Sequence, residues 1–177
     1  SINYRLAPTN RWPACFEDVQ TAIRWVKTHA TEYKADPKHI ALIGHSAGGH
    51  LTAMMLATAW TAQGLARDPI AGGVSVSGVH DLAPMVQFSF NADFKLDDAE
   101  AARQSPVRLA PRSSAPLVLA VGADETSEFV RQTQILWDAW PANRPAGASG
   151  PLIITARHHF SVVVDYADLE SELTQAT

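Results

Sequence analysis

Ser46 lies in the pattern Gly44-x-Ser46-x-Gly48, between a short apolar run and a segment with helical character. A serine on such a sharp strand-to-helix turn carries its hydroxyl above the sheet, and Cβ atoms two residues before and after it would collide. We therefore expect both glycines to be required. The helix that follows directs its first N–H groups toward developing negative charge. The pattern predicts a nucleophile at Ser46, with the Ala47 amide as an oxyanion donor.

Two other interpretations of this turn are less well supported. A glycine-rich turn whose serine only caps the helix would explain the serine without any chemistry. A phosphate-binding loop is disfavoured because the segment has neither a Gly-Lys-Ser/Thr ending nor the G-x-G-x-x-G spacing after a first strand. The position directly after an apolar run favours the nucleophile.

A serine nucleophile needs an imidazole to remove its proton, and that imidazole needs a carboxylate to fix its tautomer. In hydrolases with this kind of turn the chain order is serine, acid, histidine. Asp124 and Glu125 follow a later apolar run, and His158 and His159 follow the next one. Adjacent loop residues point in different directions, so only one member of each pair is expected to act with Ser46.

The chain has seven histidines, and the other five are expected to serve other purposes. His29 and His39 are interpreted as structural or solvated, and His45 and His50 as packing beneath the turn. His80 is interpreted as a loop anchor or a pocket residue. A metal site is a weaker alternative because its candidate ligands lack the short paired spacings of zinc sites. Those ligands would be His45, His50, His158, His159 and Asp124.

Short β-like apolar runs alternate with helical patterns, which indicates βαβ units and a mostly parallel open sheet with flanking helices. Strands are predicted at residues 2–6, 40–43, 70–77, 117–121 and 152–155. Helices are predicted from Pro13 to about residue 30, over 48–60, 97–104 and 128–140, and from Val162 onward. The predicted class is α/β, in which ligand sites lie beyond the carboxyl ends of the strands.

The long stretch at residues 78–116 is rich in Phe, Pro and Asp, and stretches of this length are usually functional or lid-like. Its apolar side chains are candidates for a substrate pocket, with ordinary core packing as the alternative. The pocket candidates are Met85, Phe88, Phe90 and Phe94, together with Trp137.

Composition limits the classes of protein and of partner. The 177 residues are 46% hydrophobic and 18% charged, which predicts one globular domain over residues 1–177. The net charge is −4 and no Lys/Arg cluster occurs, so nucleic acid is excluded as a partner. No apolar run approaches the roughly 20 residues of a membrane span. The lone Cys15 fits a reducing compartment, and we expect a cytoplasmic protein.

Several ordered motifs resemble those of a known superfamily over nearly the whole chain. Tyr4-Arg5-Leu6-Ala7-Pro8 and the segment 44–51 resemble the α/β-hydrolase superfamily, in particular the esterase group around hormone-sensitive lipase. The segments 77–82, 105–106, 121–129 and 159–160 are similar to the kynurenine formamidase-like branch.

The resemblance implies specific site residues. The formamidase-like branch has its acid three residues after a strand-ending glycine and before a Glu-Phe pair, which implies Glu125. Its histidine immediately precedes Phe, which implies His159. The hormone-sensitive-lipase branch would instead imply Asp124. Complete members have further strands and a His-Gly-Gly oxyanion segment before the strand predicted at 2–6, so we expect the carboxyl-terminal portion of a hydrolase domain.

The expected activity is that of a serine hydrolase on a small-molecule carboxylic ester or aryl formamide. Ser46 would attack, His159 would transfer the proton, Glu125 would orient His159, and the Ala47 amide would stabilise the oxyanion. An acyl-enzyme would form, and no cofactor or metal is needed. The alternatives are a truncated, non-catalytic remnant of the fold and thioesterase or peptidase chemistry on the same residues. A homodimer is left open.

Overall fold

The computed structural model describes residues 1–177 and contains a sheet of four parallel strands in the order β1-β2-β3-β4. The strands are β1 (Ile40–His45), β2 (Ile70–Val76), β3 (Leu117–Gly122) and β4 (Leu152–Ile154). The α-helices are α1 (Pro13–His29), α2 (Ala47–Leu56), α3 (Asn91–Phe94), α4 (Asp98–Arg103), α5 (Ser127–Ala139) and α6 (Glu172–Gln175). The predicted α/β class with a parallel sheet is confirmed.

Six short 3₁₀ helices complete the secondary structure. They are Ala30–Tyr33, Trp60–Gln63, Ala83–Gln87, Pro106–Arg108, Pro141–Asn143 and Val162–Ala167. The predicted helical tail from Val162 is therefore divided between one 3₁₀ helix and the short helix α6. No helix has both the length and the apolar character that crossing a bilayer requires.

The prediction of a strand at residues 2–6 was wrong. This segment pairs with no strand of the sheet, and one of its backbone amides is bound instead by a side chain of α1. The Arg5 amide donates to the Asp18 carboxylate at 2.8 Å, and the Arg5 guanidinium binds the same carboxylate. The sheet consequently has four strands and not five.

Apolar side chains cover both faces of the two central strands, β2 and β3, whereas Ile43 of β1 and Ile153 of β4 stay exposed. Alternate residues of β3 serve the two faces, since Leu117 and Leu119 join the larger core while Ala120 joins the smaller one. The larger core packs α1, α2 and α5 against the sheet, and the smaller one contains Val162 and Leu173. This packing leaves the carboxyl edge of the sheet to the loops that follow each strand.

Two histidines, His50 and His80, are buried in the fold. His50, on α2, has its Nε2 2.7 Å from the Gln104 carbonyl, and His80 has its Nε2 3.3 Å from Ser75 Oγ. Burial lowers the pKa of His50 to about 4 and that of His80 to about 3. His50 also lowers the pKa of His80 through charge repulsion. Both imidazoles are therefore neutral in the folded protein at neutral pH.

We expect the free energy of unfolding to fall as the pH falls below about 6.5. The unfolded chain takes up a proton at each histidine near that pH, whereas the folded protein does not until the pH reaches about 4 at His50. Each buried histidine then contributes a slope of about 1.4 kcal/mol per pH unit. Urea unfolding at a series of pH values measures this slope.

His50→Gln should reduce that slope, because one of the two protons is no longer taken up on unfolding. His158→Gln is the matched control, since His158 is exposed. An unchanged slope in His50→Gln would contradict this explanation of acid sensitivity.

Candidate active site

Ser46 occupies a sharp turn between β1 and α2. Its backbone has φ +55° and ψ −115°, a conformation that residues other than glycine rarely adopt. The Ser46 amide donates to the Val76 carbonyl at 2.9 Å, which fixes the turn to the neighbouring strand. Ala47 is the first residue of α2, and both residues line the same cavity. The turn therefore presents the hydroxyl of Ser46 at the carboxyl edge of the sheet.

The requirement for glycine around Ser46 is one-sided. A Cβ on Gly44 would lie 2.0 Å from the Gly48 carbonyl oxygen, so glycine is required there. A Cβ on Gly48 would meet nothing within 4 Å, and the expectation that Gly48 is required was wrong. The next residue, Gly49, has the close approach instead, because its Cβ would lie 2.6 Å from Ser75 Oγ. The first turn of α2 passes over Gly44, while Gly48 itself faces open space.

The structure brings Ser46, His159 and Glu125 into one hydrogen-bonded chain. His159 Nε2 is 3.1 Å from Ser46 Oγ, and His159 Nδ1 is 2.7 Å from Glu125 Oε2. An ionised carboxylate can only accept, so Nδ1 carries the proton and donates it to Glu125. In the neutral ring, Nε2 is then free to accept the proton of Ser46 Oγ. This arrangement suits the removal of a proton from Ser46.

Glu125 is held from several sides. Its side chain is fully buried, whereas 20% of the His159 side chain is exposed. Glu125 Oε1 accepts from Gly122 N at 2.9 Å and from Ser77 Oγ at 2.5 Å. Sequence reasoning gave Ser77 no role in the site, although its place as the last residue of a predicted strand was a signal that it lies at the same edge as Ser46.

The other candidate acid and base point away from Ser46. Asp124 is exposed, and its amide donates to the Arg157 carbonyl at 3.0 Å. His158 is exposed as well, and its Nδ1 accepts from the Phe160 amide at 3.2 Å. Neither side chain takes part in the hydrogen-bonded chain that ends at Ser46.

The ring of His159 is clamped between other rings. Phe129 stacks on it with ring centroids 4.2 Å apart, and the ring centroid of His45 lies 4.5 Å from that of His159. Burial lowers the pKa of His45, and the nearby His159 acts in the same direction. A neutral His45 does not repel a positive charge on His159, so the clamp is compatible with a charged imidazole. Phe129 belongs to the Glu-Phe pair that supported the formamidase resemblance.

Comparison with known proteins shows the family to which the chain belongs. Residues 1–139 match the model of the BD-FAE family. The chain belongs to the BD-FAE family. It is 28% identical to the kynurenine formamidase of Salmo salar over 181 residues, which cover 99% of the chain and 59% of the relative. It is 43% identical to esterase LipC of Mycobacterium tuberculosis over 79 residues, which cover 45% of the chain and 20% of that esterase.

Solved structures give the same fold. A Silicibacter protein assigned as a thioesterase superposes with a TM-score of 0.80 at 32% identity, over 98% of this chain and 61% of that one. The carboxylesterase EstE1, cloned from a metagenomic library, superposes with a TM-score of 0.74 at 20% identity, over 99% of this chain and 65% of that esterase. The chain spans about three fifths of the length of the formamidases it matches. The resemblance to the esterase and formamidase group of α/β hydrolases is confirmed.

The BD-FAE chain has a cavity of about 620 Å³ that opens beside Ser46 and Ala47. Four of the predicted pocket residues line it: Met85, Phe88, Phe90 and Phe94. The fifth, Trp137, was predicted wrongly. It lies in the larger core on the buried face of α5, where the Arg144 guanidinium covers its ring at 4.7 Å. The cavity is therefore formed mainly by the long stretch at residues 78–116 and by the first residues of the chain.

We expect the two glycines of the turn to respond differently to alanine. Gly44→Ala should lower the free energy of unfolding by about 3 kcal/mol, because the methyl group overlaps backbone atoms that cannot move aside. Gly48→Ala, the matched control, should be neutral or stabilise by up to about 1 kcal/mol through helix propensity. Urea unfolding of both variants measures the difference, and equal losses would contradict a one-sided contact.

Proposed function

We propose that the chain is part of a serine hydrolase that cleaves carboxylic esters or aryl formamides. The observation that supports this most directly is the hydrogen-bonded chain from Glu125 through His159 to Ser46. We further propose that residues 1–177 form the carboxyl-terminal portion of an α/β-hydrolase domain. Membership of the BD-FAE family supports a hydrolytic reaction.

In the proposed first half of the reaction, Ser46 Oγ attacks the carbonyl carbon of the substrate while His159 Nε2 takes the serine proton. The resulting imidazolium is stabilised by the buried carboxylate of Glu125. The carbonyl oxygen becomes an oxyanion, to which the Ala47 amide donates at the start of α2. When the tetrahedral intermediate collapses, the bond to the leaving group breaks and His159 returns the proton to the departing alcohol or amine.

In the second half, water replaces the leaving group. His159 Nε2 accepts a proton from the water molecule, whose oxygen attacks the acyl carbon bound to Ser46. Collapse of this second intermediate breaks the bond to Ser46 Oγ and returns the proton to it. The products are the free serine and a carboxylic acid, which is formic acid when the substrate is a formamide.

The cavity supports an apolar substrate. Its volume of about 620 Å³ lies within the range of small-molecule sites, and Met85, Phe88, Phe90 and Phe94 line it. An aryl or alkyl group of the substrate would lie against these side chains. The hydrogen-bonded chain does not select the leaving group. Because the 32% identical Silicibacter protein is assigned as a thioesterase, a thioester belongs in the substrate panel.

We expect Ser46→Ala to abolish hydrolysis while the protein stays folded, because alanine fits the turn but supplies no nucleophile. Turnover of p-nitrophenyl esters and of an aryl formamide should fall by at least about a thousandfold. A fluorophosphonate probe should label the wild-type protein at Ser46, as read by intact and peptide mass spectrometry. Folded wild-type protein that is neither labelled nor active would instead indicate a non-catalytic remnant.

Two matched pairs test the acid and the base. Glu125→Gln should lower turnover by about three to four orders of magnitude, because an amide cannot support the imidazolium. Asp124→Asn changes the adjacent, exposed carboxylate in the same way and should leave turnover near that of the wild type. In the second pair, His159→Ala should lose turnover, whereas His158→Ala should keep turnover near that of the wild type. A larger loss in Asp124→Asn than in Glu125→Gln would disprove the assignment of the acid.

A further inference from the structure

Ser77 stands at the carboxyl end of β2 in a strained conformation. It is fully buried, and its φ of +51° lies in the left-handed region that favours glycine. Its amide donates to the Ala120 carbonyl at 2.7 Å, which ties the turn to β3. A glycine could adopt this φ and keep that backbone bond. The serine at this position therefore needs an explanation in its side chain.

The Ser77 hydroxyl has one partner, the carboxylate of Glu125. Ser77 Oγ lies 2.5 Å from Glu125 Oε1, and the hydroxyl must donate because an ionised carboxylate can only accept. Gly122 N donates to the same oxygen at 2.9 Å. The other oxygen, Oε2, then faces His159 Nδ1 at 2.7 Å. The two donors fix one oxygen of Glu125 and leave the other for His159.

Glutamate needs such fixing more than aspartate does. Its side chain has one more rotatable bond, so it loses more rotamer freedom when it is held in a single geometry. A donor from the backbone of β3 and a donor from the turn after β2 hold Oε1 from two elements. Removal of the Ser77 hydroxyl would leave Gly122 N as the single fixed donor on Oε1.

We propose that Ser77 is a positioning residue for the hydrolase reaction: its hydroxyl holds Glu125 so that Oε2 stays directed at His159. This inference rests on the proposed function. Ser77 does not line the cavity, so it acts through Glu125 and not through the substrate. The strained backbone is the structural cost of placing a hydroxyl where glycine would fit more easily.

The test compares Ser77→Ala and Ser77→Gly with the control Ser75→Ala. Ser75 is also a buried serine of this segment, and its Oγ contacts His80 instead of Glu125. We expect kcat for p-nitrophenyl butyrate to fall about ten- to a hundredfold in both Ser77 variants, with KM nearly unchanged. Ser75→Ala should keep kcat near the wild-type value.

Two further readouts distinguish positioning from general stability. Ser77→Gly should melt at or above the temperature of Ser77→Ala, since glycine relieves the backbone strain, yet it should lose as much activity. The acidic limb of kcat/KM against pH should move to lower pH in both variants, because a carboxylate that is held less firmly stabilises the positive charge of His159 less. The charged and titratable groups around this carboxylate are His159 and His45, which are present in all variants.

The outcomes separate this inference from the proposed function. If the fluorophosphonate labels Ser46 of the wild-type protein, but both Ser77 variants match Ser75→Ala in kcat and pH profile, the positioning role is disproved and the hydrolase is retained. If the wild-type protein is neither labelled nor active, the proposed function falls and the positioning role falls with it. The inference is supported if kcat falls in both Ser77 variants but not in Ser75→Ala, and if the acidic limb of kcat/KM against pH is shifted in the Ser77 variants.

Discussion

The parallel register of the sheet is the constraint on which the site depends. Because all four strands run in the same direction, the residues that follow them meet at one edge. His45 pairs with Val76 and Val76 with Ala120, so Ser46 and Ser77 leave the sheet at neighbouring positions. Glu125 and His159 then reach the same edge from the loops after β3 and β4. An antiparallel strand would bring its amino end to this edge. The site residue that follows that strand would then lie at the opposite edge, and the hydrogen-bonded chain would be incomplete.

Three of the five non-glycine residues with a positive φ lie shortly after strands of the sheet. Ser46, Ser77 and Ala156 all have positive φ values, of +55°, +51° and +55°, and each follows a strand of the sheet. Such conformations turn the chain sharply away from the sheet, and they persist only where surrounding contacts hold them. Here the holding contacts are backbone bonds to the neighbouring strands at Ser46 and Ser77. The regular part of the sheet stabilises the irregular turns that position Ser46 and Ser77.

The sequence predicted what local patterns and chain order determine, and it failed where tertiary contacts decide. The turn at Ser46 and the four strands of the sheet were predicted because apolar runs and glycine spacing are local signals. The residues alone left both adjacent pairs at 124–125 and 158–159 open, and only the resemblance implied Glu125 and His159. The segment 2–6 was mistaken for a strand because its bond to Asp18 is not visible in its pattern. The roles of Gly48 and Trp137 depend on directions that spacing does not show.

The large sequence separation within the site has a consequence for folding and for local opening. Ser46 and His159 are 113 residues apart, and the loop that carries His159 follows β4, a strand of three residues at the edge of the sheet. Short edge strands belong to the parts of a protein that open most easily, at a free energy below that of global unfolding. Detachment of β4 would separate His159 from Ser46 while β1, β2 and β3 stay paired. In the proposed hydrolase, such an opening would interrupt the hydrogen-bonded chain from Glu125 to Ser46, and this chain would form again only when β4 has docked.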